Sequence, residues 1–458
     1  MDPRIVKLVE SLNEGRIGRR AFLTRAAALG LSAGFAGQLM RSAPAAAQDA
    51  SPAAGGEDVV GNPAIPHITT TDKGSITLYS SWPFTGSMKQ LGSDAIEASK
   101  MALEDLGNAA GGFALVYEPL DSGIAANNGG WDPGKESENA NKAINDADCM
   151  AYLGTYNSGA SKISIPITNG AGLSQISFGN TYPGLTKAIE GATEPGEPDI
   201  YYPSGVRNFM RTVPSDEIQG GAVANWAINQ QGRKKTYTLH DNSLYGKGVA
   251  LLYNESFKEL GGESLGFEGY DPKATDYQSL MTKIADMGPD VLYVGATVEN
   301  NPAKVLLDMR SLMPVDEVMF LGPDGLINQD FINGAGPDAE GAYVTFAGLP
   351  PSALKGIGAD YAARMTERLG HTPDSYAAYA YEVMTVVVQA IDKAQEKDRA
   401  KILDAMFHTT DFHSLLGGVW HFTETGDTSS TTVSINRIEP DDSGKLIFNY
   451  LETIGSAS

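Results

Sequence analysis

The chain has 458 residues, 34 Lys+Arg against 56 Asp+Glu, and a net charge of −22, a balance that repels polyphosphate and excludes nucleic acid as a partner. Its 42% hydrophobic and 20% charged residues are those of an ordinary globular protein, and the length suits two or three domains. A single cysteine, Cys149, excludes an intrachain disulfide, a zinc site with two or more thiolates and an iron–sulfur cluster, and it is expected to be a small buried apolar residue.

The first 47 residues carry seven basic side chains (Arg4, Lys7, Arg16, Arg19, Arg20, Arg25, Arg41) and three acidic ones (Asp2, Glu10, Glu14), a charge of +4 that leaves −26 on the other 411. A sign change confined to one end marks that end as a separate object. Positions 18–25 read G-R-R-A-F-L-T-R, the 15 residues Ala26–Met40 are uncharged, and Ala45-Ala46-Ala47 precede Gln48. This is the order of a basic region, a short apolar region and a small-residue cleavage site. The apolar part is too short to cross ~30 Å of hydrocarbon. Arg19-Arg20 ahead of Phe22-Leu23 resembles a twin-arginine export signal. The resemblance implies export to the periplasm with cleavage after Ala47, and no cysteine stands there to carry a lipid anchor. With no other apolar run of ~18 residues, the mature chain is expected to be soluble. Residues 48–74, rich in Ala, Pro, Gly and Thr, are expected to form a flexible leader.

From residue 75 short apolar runs alternate with amphipathic stretches. Strands are predicted at Ile76–Tyr79, Ala114–Tyr117, Met150–Leu153 and Ile176–Phe178. Between them, Ala95, Ala98, Ala102 and Leu106 share one helical face, and Glu136–Asn145 and Ser158–Gly170 read as helices. A second cycle follows a boundary near 212–215. Ser215 is expected to cap a helix over Asp216–Asn229, ahead of a strand at Lys234–His240 and a helix over Gly248–Leu260. Further strands are predicted at Leu265–Glu268, Val291–Val294 and Val318–Leu321, with a helix over Tyr277–Asp286. Residues 347–415 read as mainly helical, with Tyr379, Val383, Val386, Ala390 and Ile391 on one apolar stripe, and the tail as strands at Gly418–Phe422 and Thr431–Ile438. Serial β-α-β units predict parallel sheets covered by helices, here two doubly wound α/β lobes with a ligand cleft at the carboxyl ends of their strands.

Seven ordered segments carry a family resemblance: S-S-W-P-F-T-G-S (80–87), G-T-Y-N-S-G-A-S (154–161) with I-S-F-G-N-T-Y-P-G-L-T (176–186), F-M-R-T-V-P-S-D-E-I-Q-G (209–220), H-D-N-S-L-Y-G-K-G (240–248), A-T-D-Y-Q-S-L (274–280), F-L-G-P-D-G-L (320–326), and G-G-V-W-H-F-T-E-T-G-D (417–427). The chain resembles the periplasmic solute-binding proteins of ABC importers, of the leucine/isoleucine/valine-binding type. The resemblance implies a type I periplasmic-binding fold joined by a multi-strand hinge. Lobe 1 would take residues 75–213 and 347–412, and lobe 2 residues 214–346 and 413–458. It implies a monomer that binds one small solute and delivers it to a membrane permease, with no cofactor and no metal.

By the same resemblance, Ser158 and Thr181 bind the ligand carboxylate, Gly179 and Thr181 face an amine, and Tyr245 closes from the second lobe. Gly159, Tyr156 and Asn180 belong to the same loops, and Trp82 with Phe84 is expected to form an apolar wall. The acid that pairs with the ammonium in amino-acid-binding relatives is matched here by Ala274. Asp324, Glu299 and Asp121 are the candidates to replace it; without one, an aromatic or aliphatic carboxylate or a small amide is the alternative ligand. Two polar insertions, Ala125–Lys135 and Glu190–Ser204, follow site-forming strands, and Tyr201 and Tyr202 are expected on a surface loop. Gly30–Gly34 fits the G-x-S-x-G pattern but lies within the export signal. His408, His413 and His421 have no metal-ligand spacing. The chain therefore reads as a binding protein rather than an enzyme, with an exported α/β enzyme or a sensor component as the alternatives.

Overall fold

The computed structural model describes residues 59–455. The expected export signal, its cleavage site and the start of the leader lie outside them. The first sheet is built by β1 (Ser75–Trp82), α1 (Lys89–Asp105), β2 (Ala109–Ala110), β3 (Phe113–Asp121), α2 (Pro133–Asn145), β4 (Cys149–Gly154), α3 (Ser158–Gly170), β5 (Ser174–Ser177) and β6 (Phe209–Arg211). Its strand order is β2-β3-β1-β4-β5-β6, parallel except for the short β2–β3 pair. β4 is buried along its whole length, as its unbroken apolar run requires of a central parallel strand. Cys149 lies in it among Tyr79, Tyr152 and Leu173, and burial pushes its thiol up to about 12. α2 starts where Asp132 accepts the Lys135 amide at 2.9 Å, with Pro133 in the first turn.

The second sheet follows with α4 (Asp216–Asn225), β7 (Lys235–His240), α5 (Leu244–Glu259), β8 (Glu263–Gly269), α6 (Gln278–Met287), β9 (Val291–Gly295), α7 (Pro302–Arg310), β10 (Met319–Gly322), α8 (Gln329–Ala335) and β11 (Tyr343–Phe346). The chain then returns to the first sheet with α9 (Ile357–Leu369), α10 (Ala377–Ala394), which packs on α1, and α11 (Arg399–Phe407). After the small hairpin β12 (Phe412–His413) and β13 (Val419–Trp420), it ends on β14 (Val433–Pro440) and β15 (Leu446–Ile454). The second sheet runs β15-β14-β11-β10-β9-β7-β8, and β14 and β15 are antiparallel additions to a parallel sheet. The expected two α/β lobes are present, and three chain connections join them. Among the described residues, no helix is long and apolar enough to cross a membrane.

Several details differ from the sequence reading. Ser215 stands at the start of α4 but caps nothing; its hydroxyl donates to the Thr181 carbonyl at 3.1 Å. The α-helix ends at Asn225 and continues as a π-helical turn, Trp226–Gln230. α5 begins four residues early, because Ser243 accepts the Gly246 amide at 2.9 Å and caps it there.

The expected flexible leader is not free from residue 61 onward. Gly61 and His413 exchange both backbone hydrogen bonds, at 3.0 and 2.9 Å. Asn62 donates to Thr410, and buried Asp392 on α10 accepts from the Ile68 amide at 3.1 Å and faces His67 at 2.7 Å. Composition misled here because the segment is held by its backbone groups and by three isolated side chains, Asn62, His67 and Lys73, which follow no apolar period. The stretch 413–428, expected with the second lobe, is likewise fastened to the first. Glu382 on α10 accepts from the Ser414 hydroxyl and the Leu415 amide, each at 2.7 Å.

Candidate functional site

Two loops at the carboxyl ends of β4 and β5 are tied into one unit. Ser177 donates to the Thr155 carbonyl at 2.6 Å and accepts the amides of Gly179 and Asn180 at 3.0 and 2.8 Å. Asn180 donates to the Tyr156 carbonyl at 2.7 Å and accepts from Ser161 at 2.5 Å. Arg211, fully buried at the end of β6, donates to the carbonyls of Asn180 and Tyr182 at 3.2 and 2.8 Å and pairs with Asp427 at 2.6 Å. Burial would raise the Asp427 carboxyl, but Arg211 and Lys187 outweigh it and hold the group well below the usual carboxylate range. The guanidinium thus fixes the backbone on both sides of Thr181.

The first turn of α3 opens from this unit. Its earliest backbone bonds run from the amides of Ala160 and Ser161 to the Asn157 carbonyl. The amides of Ser158 and Gly159 therefore point ahead of the helix, where its dipole favours negative charge. The second lobe brings Tyr245 from α5, Thr297 after β9, and Gly325 after β10. Tyr156, Asn157, Ser158, Gly179, Tyr245, Thr297, Gly325 and Tyr376 together line a narrow cavity between the lobes.

Behind Tyr245 and Tyr376 lies a buried acidic pair. Asp324 accepts from both hydroxyls at 2.5 Å and from the Gln219 amide at 2.8 Å. Its neighbour Asp216 has one carboxylate oxygen, Oδ2, buried without a partner, as is the Thr181 hydroxyl. Burial raises both carboxyls, Asp216 further by the nearby Asp324 charge, while the three donors on Asp324 favour its ionised form. Tyr376 also stands edge-on to Tyr156 at 5.2 Å and to Phe346 at 5.1 Å, extending an aromatic wall.

The chain's relatives can now be set beside this geometry. The family model described as "Periplasmic binding protein" matches residues 80–443. The Leu/Ile/Val-binding protein homolog 1 of Brucella suis biovar 1 is 25% identical over 371 residues, 81% of this chain and 91% of that one. The leucine-, isoleucine-, valine-, threonine-, and alanine-binding protein of Pseudomonas aeruginosa is 25% identical over 75% of this chain and 85% of its own. Among solved structures, the leucine binding protein LivK of Thermotoga maritima superposes with a TM-score of 0.71 at 21% identity, over 83% of this chain and 99% of that one. A solute binding protein from R. palustris, in complex with benzoate, gives a TM-score of 0.68 at 17% identity, over 84% and 98%.

The chain belongs to the periplasmic binding protein family. In this binding protein, four residues expected at the site line the cavity: Tyr156, Ser158, Gly179 and Tyr245. The others stand behind it. Thr181, Asn180 and Asp324 are buried beneath the lining, and Gly159 lies under the Trp131 ring, which a Cβ there would meet at 2.6 Å. Trp82 is not a wall of the cavity: its ring packs edge-on to Phe178 at 4.8 Å and its indole donates to the Gly92 carbonyl at 3.1 Å. Phe84 stays on its own loop, held by Asp121, whose carboxylate caps the amides of Phe84 and Gly123.

Ala274 does not line the cavity; its amide and carbonyl bond to Asp271 and Asn301. Of the replacement acids, Asp324 stands against the cavity wall and Asp121 is committed to its turn. Glu299 accepts from Asn157 across the cleft at 3.0 Å. Burial, helped by the Asp241 charge, pushes it up to about 7. Sequence reading missed Asn157, Thr297, Gly325 and Tyr376. The first three follow strand ends, where the general rule for α/β sheets places ligands, and Tyr376 immediately precedes α10.

Both insertions border the binding protein's interlobe cleft. Residues 126–131 face Pro272, Lys273, Glu299 and Asn300 across an outer groove. Gly191–Glu194 face α5 across another. Tyr201 and Tyr202 are buried rather than on the surface: the first donates to Glu197 and the second to the Leu185 carbonyl at 2.6 Å. Their hydroxyls serve buried acceptors that the loop's polar composition does not advertise.

Proposed function

We propose that this binding protein is the solute-receiving subunit of an ABC importer and that its solute is a zwitterion of amino-acid size. The observation that carries the reading is the pairing of opposite charge preferences across one interlobe cavity. The start of α3 and the Ser158 hydroxyl suit a carboxylate. The Gly179 carbonyl and the Asp216–Asp324 pair suit an ammonium, the Thr181 hydroxyl lying between the two ends. Relatives named for leucine, isoleucine and valine support it, as does a neighbour from Streptococcus pneumoniae in complex with isoleucine. Tyr156, Tyr245 and Tyr376 supply the apolar contact area. Closure of the lobes buries the solute and presents a changed outer surface, which the permease reads. Residues 1–47 serve as a twin-arginine export signal, and the mature chain works as a periplasmic monomer.

The aromatic wall favours a second solute class, an aromatic carboxylate, in keeping with the benzoate-bound neighbour. A thermal-shift screen of amino acids and benzoates separates the two, because a solute that binds only the folded state raises its melting temperature. An amino acid is expected to stabilise the protein, and Asp324→Asn to abolish that shift; benzoate binding would survive the same substitution. Loss of all shifts is expected in the Ser158→Ala/Thr181→Ala double variant. Unchanged shifts there would remove the carboxylate site from α3.

A further inference from the structure

The residue at the N-cap of α3, Asn157, does not cap its helix. Its side chain instead reaches across the cleft, and its amide nitrogen donates to Glu299 Oε1 at 3.0 Å. Above about pH 7 Glu299 is ionised and only accepts, which fixes which end of the amide faces it. The other end, Oδ1, is buried without a partner, and so is Glu299 Oε2. Asn157 is 7% exposed and lines the cavity beside Thr297. Two acceptors from opposite lobes, joined by one hydrogen bond, are thus left unpaired in a place where water is nearly shut out. Buried acceptors are rarely left so, and a group that supplies protons to both would relieve the cost.

Resting on the reading that the solute's charged head lies at Ser158 and Asp324, we propose that Asn157 and Glu299 form a tail subsite. The solute then ends in a hydrogen-bond donor, an N–H or O–H group, rather than in a plain alkyl or aryl tail. The two lobes each contribute one acceptor, so the subsite is complete only when the cleft is closed. Recognition of the tail is then coupled to closure, and a tail without a donor leaves both oxygens unpaired.

The test compares near-isosteric pairs that differ in the tail donor: asparagine against leucine, and 4-hydroxybenzoate against 4-methylbenzoate. Isothermal titration of the mature protein at pH 8, where Glu299 is ionised, is expected to show the donor-bearing member of the binding pair at least tenfold tighter. In Asn157→Ala and in Glu299→Ala the ratio within that pair is expected to fall toward one, with circular dichroism confirming the fold of each variant. Equal or reversed affinities in the wild-type protein would overturn the subsite alone. So would variants that weaken both members by one factor, since that is the behaviour of a simple closure latch. Binding by none of the four would overturn the subsite together with the head-group reading.

Discussion

Gly179 and Gly325 are glycines for want of space rather than for a turn. Neither has positive φ, yet a Cβ on Gly179 would lie 2.7 Å from the Tyr156 ring, and one on Gly325 2.7 Å from the Tyr245 ring. Both rings line the cavity, so Gly179→Ala is expected to displace Tyr156 and weaken solute binding by about tenfold or more, at the cost of overpacking. Titration calorimetry beside a melting curve checks this, and unchanged affinity would place the solute away from Tyr156. The Arg211–Asp427 pair acts on the same loops from behind. Asp427→Asn leaves a buried guanidinium uncompensated and is expected to cost about 3–5 kcal/mol in urea unfolding. Because the Asp427 carboxyl is held low, its contribution is present above its unfolded value near 4 and is lost only as pH falls through the lower folded value.

At the scale of elements, the segment 61–74 is a strap across α10 and the β2–β3 edge. Asp392 gathers the Ile68 amide, the Gly111 amide at 2.8 Å and the His67 ring, and Lys73 donates to the Gly111 and Gln395 carbonyls. A chain beginning at residue 75 therefore leaves Asp392 with the Gly111 amide alone and uncovers the α10 surface. Its melting temperature is expected to fall by several degrees relative to a chain beginning at residue 58, each lost buried partner costing about 1–3 kcal/mol. Equal melting temperatures would show the strap to be dispensable. The apolar stripe of α10 and the unbroken run of β4 were legible in the sequence because burial shows directly in periodicity. The strap was not, because backbone hydrogen bonds and a few isolated polar side chains leave no periodic pattern in the sequence.

Across the whole molecule, the buried carboxyls set the pH response. Burial pushes Glu136, Glu299, Glu382 and Asp374 to about 7 and Asp94 to about 6. These groups are protonated in the folded chain over a range where the unfolded chain has released its protons. The folded state then binds more protons, so stability falls as pH rises from about 4 toward 7. His240 opposes them: burial lowers it to about 4, so its contribution is lost as pH falls below its unfolded value near 6.5. Five carboxyls outweigh one imidazole. The melting temperature is expected to be higher at pH 5.5 than at pH 8, and the reverse order in a scanning calorimeter would show that these carboxyls stay ionised.

The sequence by itself determined the α/β class and the two-lobe plan, because parallel strands and amphipathic helices write their burial into residue order, while the family was legible only through the resemblance its ordered segments carry. The same resemblance brought Tyr156, Ser158, Gly179 and Tyr245 forward, on loops that follow predicted strands. Only the tertiary structure decided what faces the cavity. It moved Trp82 into the core, drew Tyr376 from the start of α10 onto Asp324 in the other lobe, and set Asn157 against Glu299, 142 residues away. It also put Asp324, rather than position 274, against the cavity wall. Such contacts depend on how one lobe lies over the other, and no local period in the chain encodes that distance.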